Sequence, residues 1–134
     1  MPLTRLEHYL VLSDDIHRTR DFYCDVLGMT EGFRPQLTFP GFWLYVDDTP
    51  CIHIAEWRTY AAWTQEVGIP LSTKAPGTGP VDHIAFNATG FDEMRARLAG
   101  RKLEWSENSL DDIGMKQMFL HDPNGVPIEI NFRT

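Results

Sequence analysis

The two halves of the sequence repeat one order of predicted elements, and this repeat constrains the fold more than any other feature. Each half reads as a strand, an amphipathic helix and then three short strands. A repeat of this kind identifies the architecture, because each copy is one structural unit. We therefore predict an α+β fold of two tandem βαβββ modules at about residues 4–58 and 80–134, joined by a linker at about residues 59–79, in a single domain of residues 1–134.

The first predicted helix follows the opening strand. Ile16 and Val26 belong to an apolar stripe with helical spacing. Ser13 or Asp14 is expected to cap the start of this helix, and Gly28 is expected to end it in the left-handed conformation.

The composition narrows the class of protein. Of the 134 residues, 43% are hydrophobic and 23% are charged, which is typical of an ordinary globular chain. The formal net charge of −7 argues against binding to nucleic acid or to an anionic membrane surface. No apolar run is long enough to span a membrane and the N-terminal segment lacks a signal-peptide pattern, so we expect a cytoplasmic protein.

Four side chains with metal-ligand chemistry occupy equivalent positions in the two halves. His8 in the first strand corresponds to His83 at an offset of 75, and His53 in the fourth strand corresponds to Glu129 at an offset of 76. Strand side chains alternate between the two faces of a sheet, and these four lie opposite the apolar residues of their strands. We expect the helices to cover the apolar faces, and the four side chains to line a cleft between two curved, mixed or antiparallel sheets.

Each of these side chains taken alone has a simpler interpretation. A histidine in a strand is more often a hydrogen-bonded core residue than a ligand, and a carboxylate in a strand usually faces solvent. Four of them at equivalent positions favour a shared partner, because a buried polar group left unpaired costs roughly 2 kcal/mol or more. We therefore predict that His8, His53, His83 and Glu129 bind one divalent first-row metal ion.

Aromatic residues interleaved with one arginine follow the first helix. They suit an aromatic or carboxylate-bearing small molecule, although packing in the core or at a sheet edge is an equal alternative. The predicted substrate-binding residues are Arg34, Phe39, Trp43 and Tyr45.

The segments "LEHYLVLSDDIHRTRDFYCDVLGM" and "VDHIAF…MFLHDPNGVPIEINF" resemble the glyoxalase/bleomycin-resistance/extradiol-dioxygenase group, the vicinal oxygen chelate (VOC) superfamily. This resemblance implies paired βαβββ modules that form a cleft, with metal ligands on the first and last strands of each module. Carried over to this chain, those ligands are His8, His53, His83 and Glu129. The resemblance also implies a homodimer, with the ligand pairs of different subunits facing each other.

The activity implied by the resemblance is that of a glyoxalase I-like or epimerase-like isomerase or lyase. Such an enzyme acts on a small substrate with vicinal oxygens through an enediolate, and Glu129 is the candidate catalytic base. Glyoxalase I usually carries a glutamate where this chain has His53. A neutral imidazole there favours Zn, Fe, Ni, Co or Mn over Mg.

Two other functions stay open at this point. Ring-cleaving dioxygenases of the group use two histidines and a glutamate with non-haem iron, and they normally leave the position of His53 without a ligand. The other alternative is a non-catalytic small-molecule-binding protein. Relatives that bind drugs carry no metal set, which counts against this function for a chain with four candidate ligands. Iron-dependent oxygen uptake would identify the first function, and ligand binding unaltered by a chelator would identify the second.

Overall fold

The computed structural model describes residues 2–133, so the two ends of the predicted domain, residues 1 and 134, lie outside the described residues. The chain divides into two compact units between Thr73 and Lys74. The first unit contains β1 (Tyr9–Ser13), α1 (Ile16–Asp21), β2 (Thr30–Gly32), β3 (Gly41–Val46), β4 (Thr49–Glu56) and α2 (Trp57–Val67). The second unit contains β5 (Ile84–Ala88), α3 (Phe91–Gly100), β6 (Ser106–Leu110), β7 (Met115–His121) and β8 (Pro127–Arg133).

Each unit builds one four-stranded mixed sheet with the same topology. The strand orders are β1-β4-β3-β2 and β5-β8-β7-β6. The first and last strands of each module pair in parallel, and the remaining neighbours pair antiparallel. The predicted α+β fold with two βαβββ modules is therefore confirmed. In addition, α2 begins directly after β4 and occupies much of the segment that we assigned to the linker.

The helix of the first module differs in detail from the prediction. Asp15 is its N-cap and accepts a hydrogen bond from the backbone N–H of Arg18 at 3.1 Å, so neither Ser13 nor Asp14 caps it. Ser13 instead accepts from the backbone N–H of Asp15 at 2.9 Å, which fixes the turn before the helix. After α1 the chain continues as a π-helix over Phe22–Val26, and Gly28 follows it with a φ of 81°, as predicted for the end of the helix.

The apolar face of each sheet carries the core of its unit. In the first unit α1 packs against β1, β3 and β4, and the side chains of Leu44, Ile52 and Ile54 are buried. In the second unit Leu98 of α3 is fully buried, and burial of one such side chain stabilises the fold by roughly 1.5–3 kcal/mol. Phe91 of the same helix makes an edge-to-face contact with Phe132, with ring centroids 5.3 Å apart.

None of the helices in residues 2–133 has the length and apolar character needed to cross a membrane.

Candidate functional site

The first pair of predicted ligands lies where β1 and β4 pair in the first sheet. His8 immediately precedes β1, and Leu10, two residues later, is the register partner of His53 on β4. Residues two apart along an extended chain point to the same face, so His8 and His53 share the face opposite the core. Their rings stack with centroids 3.7 Å apart. Nδ1 of His8 lies 2.9 Å from Oε1 of Glu7.

The imidazole of His53 is enclosed by rings on both sides. Trp43, its register partner on β3, stacks on it with centroids 4.0 Å apart and an angle of 8° between the planes. His8 approaches from the β1 side. Burial, and secondly the charge of His8, lower the pKa of His53 to about 4. The ring is therefore neutral at pH 7, which is the form that a metal ligand requires.

The second pair repeats this arrangement in the second unit. His83 immediately precedes β5, and Ala85, two residues later, is the register partner of Glu129 on β8. Nε2 of His83 lies 3.4 Å from Oε1 of Glu129. Nδ1 of His83 lies 2.8 Å from Oδ1 of Asp82, and this hydrogen bond raises the pKa of His83.

Carboxylates also orient the two histidines that precede β1 and β5, His8 and His83. An ionised carboxylate only accepts hydrogen bonds, so Nδ1 of His8 and Nδ1 of His83 carry the protons that Glu7 and Asp82 accept. In that tautomer the lone pair of His8 is on Nε2, whereas Nε2 of His83 faces Oε1 of Glu129. An acidic partner of this kind is the usual means of orienting a metal-binding histidine.

Glu129 is held through its second oxygen. Oε2 accepts a hydrogen bond from Nδ2 of Asn131 at 2.9 Å, so Oε1 is left on the side of His83. The side chain of Glu129 is 15% exposed, which keeps the carboxylate accessible from the open face of its sheet.

The chemistry of these donors fits a divalent transition-metal ion. Imidazole nitrogens and a carboxylate oxygen are the donor types that Zn, Fe, Ni, Co and Mn accept. An imidazole binds an ion in its ring plane, so the stacked rings of His8 and His53 could both hold one ion only if one of them turned. Residues 2–133 contain no group of three or more His, Cys, Asp or Glu side chains assembled for a metal ion, and each unit brings together two of the four predicted donors.

Arg34 is the predicted substrate residue with spare hydrogen-bonding capacity. Its Nη2 donates to the carbonyl oxygen of Phe39 at 2.8 Å, whereas its buried Nε has no hydrogen-bond partner. Burial lowers the pKa of the guanidinium. A Cβ on Gly41 would lie 3.1 Å from Nη2 of Arg34, so the glycine leaves room for the guanidinium. Gly41 and Trp43 are two residues apart on β3, which places Arg34 on the face that carries His53.

Phe39 and Tyr45 are engaged in packing and in a main-chain contact. The buried ring of Phe39 lies 5.2 Å from Tyr60 and 5.0 Å from Trp63, both on α2. The hydroxyl of Tyr45 donates to the carbonyl oxygen of Phe33 at 2.6 Å. These contacts support the packing alternative for Phe39 and a role for Tyr45 in fixing the loop after β2.

Comparison with known proteins identifies the family. Residues 5–130 match the model of the Glyoxalase/Bleomycin resistance protein/Dioxygenase superfamily. The chain belongs to this superfamily. The resemblance stated from the sequence is therefore confirmed, and it covers both modules.

The relatives of this superfamily member include named enzymes. Glyoxylase I 4 of Arabidopsis thaliana is 29% identical over 132 residues, which cover 96% of this chain and 70% of the relative. Lactoylglutathione lyase from Agrobacterium tumefaciens has a similar structure, with a TM-score of 0.70 and 15% identity over 98% of this chain and 95% of that one. A mutant of the fosfomycin resistance protein FosX from Listeria monocytogenes, solved with Mn(II) and 1S,2S-dihydroxypropylphosphonic acid, gives a TM-score of 0.69 at 16% identity over 98% and 94% of the two chains. At these identities the two structural likenesses show the fold.

Proposed function

We propose that this VOC-superfamily protein is a divalent-metal-dependent enzyme of the glyoxalase I or epimerase type. The observation that carries the proposal is the equivalence of the two donor pairs. In both units a histidine that precedes the first strand contacts the side chain at the matching register position of the last strand. A chance pair of polar side chains would not be expected to recur at the same place in both modules. The name of the plant relative, Glyoxylase I 4, supports the same class of reaction.

The proposed metal ligands are His8, His53, His83 and Glu129. A bound divalent ion supplies Lewis acidity toward two neighbouring oxygens of a small substrate. Glu129 acts as the catalytic base. It accepts a proton from the carbon next to the substrate carbonyl, and the electron pair of that C–H bond forms an enediolate. Glu129 then returns the proton to the original carbon, or to the adjacent carbon while the hydroxyl proton moves to the neighbouring oxygen. The step therefore needs no oxidant or reductant.

The proposed substrate contacts lie in the first unit. Arg34 offers the N–H groups of a cation that has no ion-pair partner within residues 2–133, so it suits an anionic or strongly polar group of the substrate. Trp43 offers a flat aromatic surface beside His53. Phe39 and Tyr45 shape this region through their own contacts.

Hydrogen exchange at carbon tests the proposal directly. Purified protein is stripped with a chelator, reloaded with Co²⁺, and incubated in D₂O with a panel of 2-hydroxy ketones and 2-hydroxyacyl thioesters. ¹H NMR then measures loss of the hydrogen on the carbon that bears the hydroxyl. We expect exchange in the loaded protein and none after stripping. Exchange that is indifferent to the chelator would refute metal dependence, and oxygen consumption with a catechol would indicate the dioxygenase reaction instead.

A matched pair of histidine variants checks the ligand assignment. His53→Ala should lower the Co²⁺ affinity by about 10-fold or more, because one of four donors is lost. His17→Ala is the control, since His17 lies on α1 and its ring contacts Phe42 on the opposite, core-facing side. Equal effects of the two substitutions would remove His53 from the ligand set.

We also propose that the working unit is a homodimer with shared sites. A mixture of inactive His8→Ala and inactive Glu129→Ala chains then forms mixed dimers with one intact site, and part of the exchange activity returns. A mixture that stays inactive after subunit exchange would show that each chain builds its own site.

A further inference from the structure

A row of side-chain amides crosses the second sheet and ends at Glu129. Nδ2 of Asn108 on β6 donates to Oε1 of Gln117 on β7 at 2.9 Å. Nε2 of Gln117 donates to Oδ1 of Asn131 on β8 at 3.0 Å, and Nδ2 of Asn131 donates to Oε2 of Glu129 at 2.9 Å. Asn108, Gln117 and Asn131 are register partners on adjacent strands, so the row lies straight across the sheet. We call these three residues the amide row.

The direction of the amide row is determined at the Glu129 end. An ionised carboxylate can only accept, so Asn131 must turn its NH₂ group toward Glu129 and its carbonyl oxygen toward Gln117. That oxygen in turn requires the NH₂ group of Gln117, whose own carbonyl oxygen requires the NH₂ group of Asn108. Every donor therefore points toward Glu129, and aligned hydrogen bonds of this kind strengthen one another.

Burial of Gln117 makes the row costly unless its bonds are satisfied. Gln117 is only 7% exposed, and both ends of its amide are used within the row. An amide buried without partners would cost free energy, so the simplest side chain at this position would be apolar. The corresponding register pair of the first unit is indeed small and apolar, since Gly41 there pairs with Ala55. The second unit therefore has amide side chains next to Glu129, whereas the first unit has Gly41 and Ala55 at the equivalent positions next to His53.

We infer that the amide row is a positioning device for Glu129. It engages Oε2 and so keeps Oε1 directed toward Nε2 of His83, the orientation in which the carboxylate serves as ligand and base. Asn131 positions Glu129 directly, and Gln117 and Asn108 act through Asn131. This inference rests on the proposed role of Glu129 and adds three positioning residues to the site.

Co²⁺ binding, followed by its visible absorption, tests the row. Asn131→Leu preserves the shape of the side chain and removes the donor, and should lower the Co²⁺ affinity by about 10–100-fold, as loss of an orienting partner does. Gln117→Met should lower it by about 2–10-fold, because Asn131 is then free to turn. Asn87→Ala is the control. Asn87 is the register partner of Asn131 on β5, but its side chain bonds to Arg133 instead of to the row. Wild-type affinity in Asn131→Leu would overturn the inference.

A double-mutant cycle separates positioning from general structural damage. If Gln117 acts through Asn131, Gln117→Met should have no effect on the Co²⁺ affinity in the Asn131→Leu background. The same loss in both backgrounds would mean that Gln117 merely supports the sheet, and the inference for it would be wrong. Thermal unfolding of each variant without metal shows how much stability changes independently of binding.

A metal-free measurement keeps this inference separate from the proposed function. NMR couplings of the Glu129 side chain report whether it occupies one rotamer or several. We expect one rotamer in the wild type and averaging in Asn131→Leu. A single rotamer in both proteins would refute positioning by the row, even if Co²⁺ binds. Rotamer averaging of Glu129 only in Asn131→Leu would support positioning by the amide row. This conclusion would hold even if the wild type does not bind Co²⁺ and the proposed function is wrong.

Discussion

Replacing Glu129 by glutamine separates its two proposed roles. Glu129→Gln keeps an oxygen that can reach an ion, and it removes the charge and the basicity of the side chain. If Glu129 is the catalytic base, exchange of the substrate hydrogen should fall by about 10²-fold or more, the usual contribution of a general base. The ion itself should be largely retained.

The amide row is the reason to expect that the proposed ion would be retained. Without a carboxylate at its end, the row has no required direction, because every member is now an amide. Asn131, Gln117 and Asn108 can each turn over and keep the same number of hydrogen bonds along the row. The new amide then gives its NH₂ group to Asn131 and leaves its oxygen on the side of His83. We therefore expect a loss of Co²⁺ affinity of about tenfold or less and a free energy of unfolding within about 1 kcal/mol of the wild type.

Three measurements on the Glu129→Gln protein test this reasoning. Co²⁺ titration gives the affinity, ¹H NMR in D₂O gives the exchange rate at saturating metal, and thermal unfolding gives the stability. Near-normal exchange with bound Co²⁺ would show that Glu129 is not the base. Complete loss of Co²⁺ binding would show that the row does not reverse and that the carboxylate charge is essential for holding the ion.

Further predictions concern the fold and its charges. The hydrogen bond from Arg95, and secondly that from the indole of Trp105, lower the pKa of Glu107 to about 2. The ionised carboxylate of Glu107 therefore stabilises the fold above about pH 4.3, and this stabilisation is lost as the pH falls toward about 2. Arg95→Met should raise the pKa of Glu107 in an NMR titration, and an unchanged value would refute the ion pair. Leu44→Ala, at a fully buried position, should lower the free energy of unfolding by about 2–5 kcal/mol, and Val46→Ala on the same strand, 44% exposed, should lower it by less than about 1 kcal/mol. Gly41→Ala should reduce stability in the same denaturation assay, because its Cβ would overlap a carbonyl oxygen of β4, and wild-type stability would contradict the β3–β4 register.

Much of the architecture could be predicted because the repeat appears directly in the sequence. The sequence offsets of 75 and 76 residues match equivalent positions in the two sheets. His8 and His83 precede the first strands of their modules, and His53 and Glu129 occupy the same register position on the last strands. Local boundaries were harder to predict. The π-helix after α1 inserts an irregular turn that helical periodicity does not reveal, and Asp15 took the capping role because Ser13 forms the preceding turn.

The surroundings of the candidate ligands could be predicted only in part. The alternation of side chains along a strand places Asn131 on the same face as Glu129, but the periodicity of one strand does not identify the residues that face it on the neighbouring strand. Gln117 could be connected to them only after the β7–β8 register was known. The carboxylate partners of His8 and His83 could have been predicted from the sequence. Glu7 and Asp82 precede these histidines and are separated by the same 75 residues.

The parallel pairing of the first and last strands has a consequence for how each module assembles. β2, β3 and β4 are consecutive antiparallel neighbours and can form by local hairpin closure. β1 pairs with residues that lie more than forty positions further along the chain, so we expect this pairing to form later. The same delay applies to β5 and β8. Because each donor pair joins these two late partners, neither pair exists in a half-assembled module.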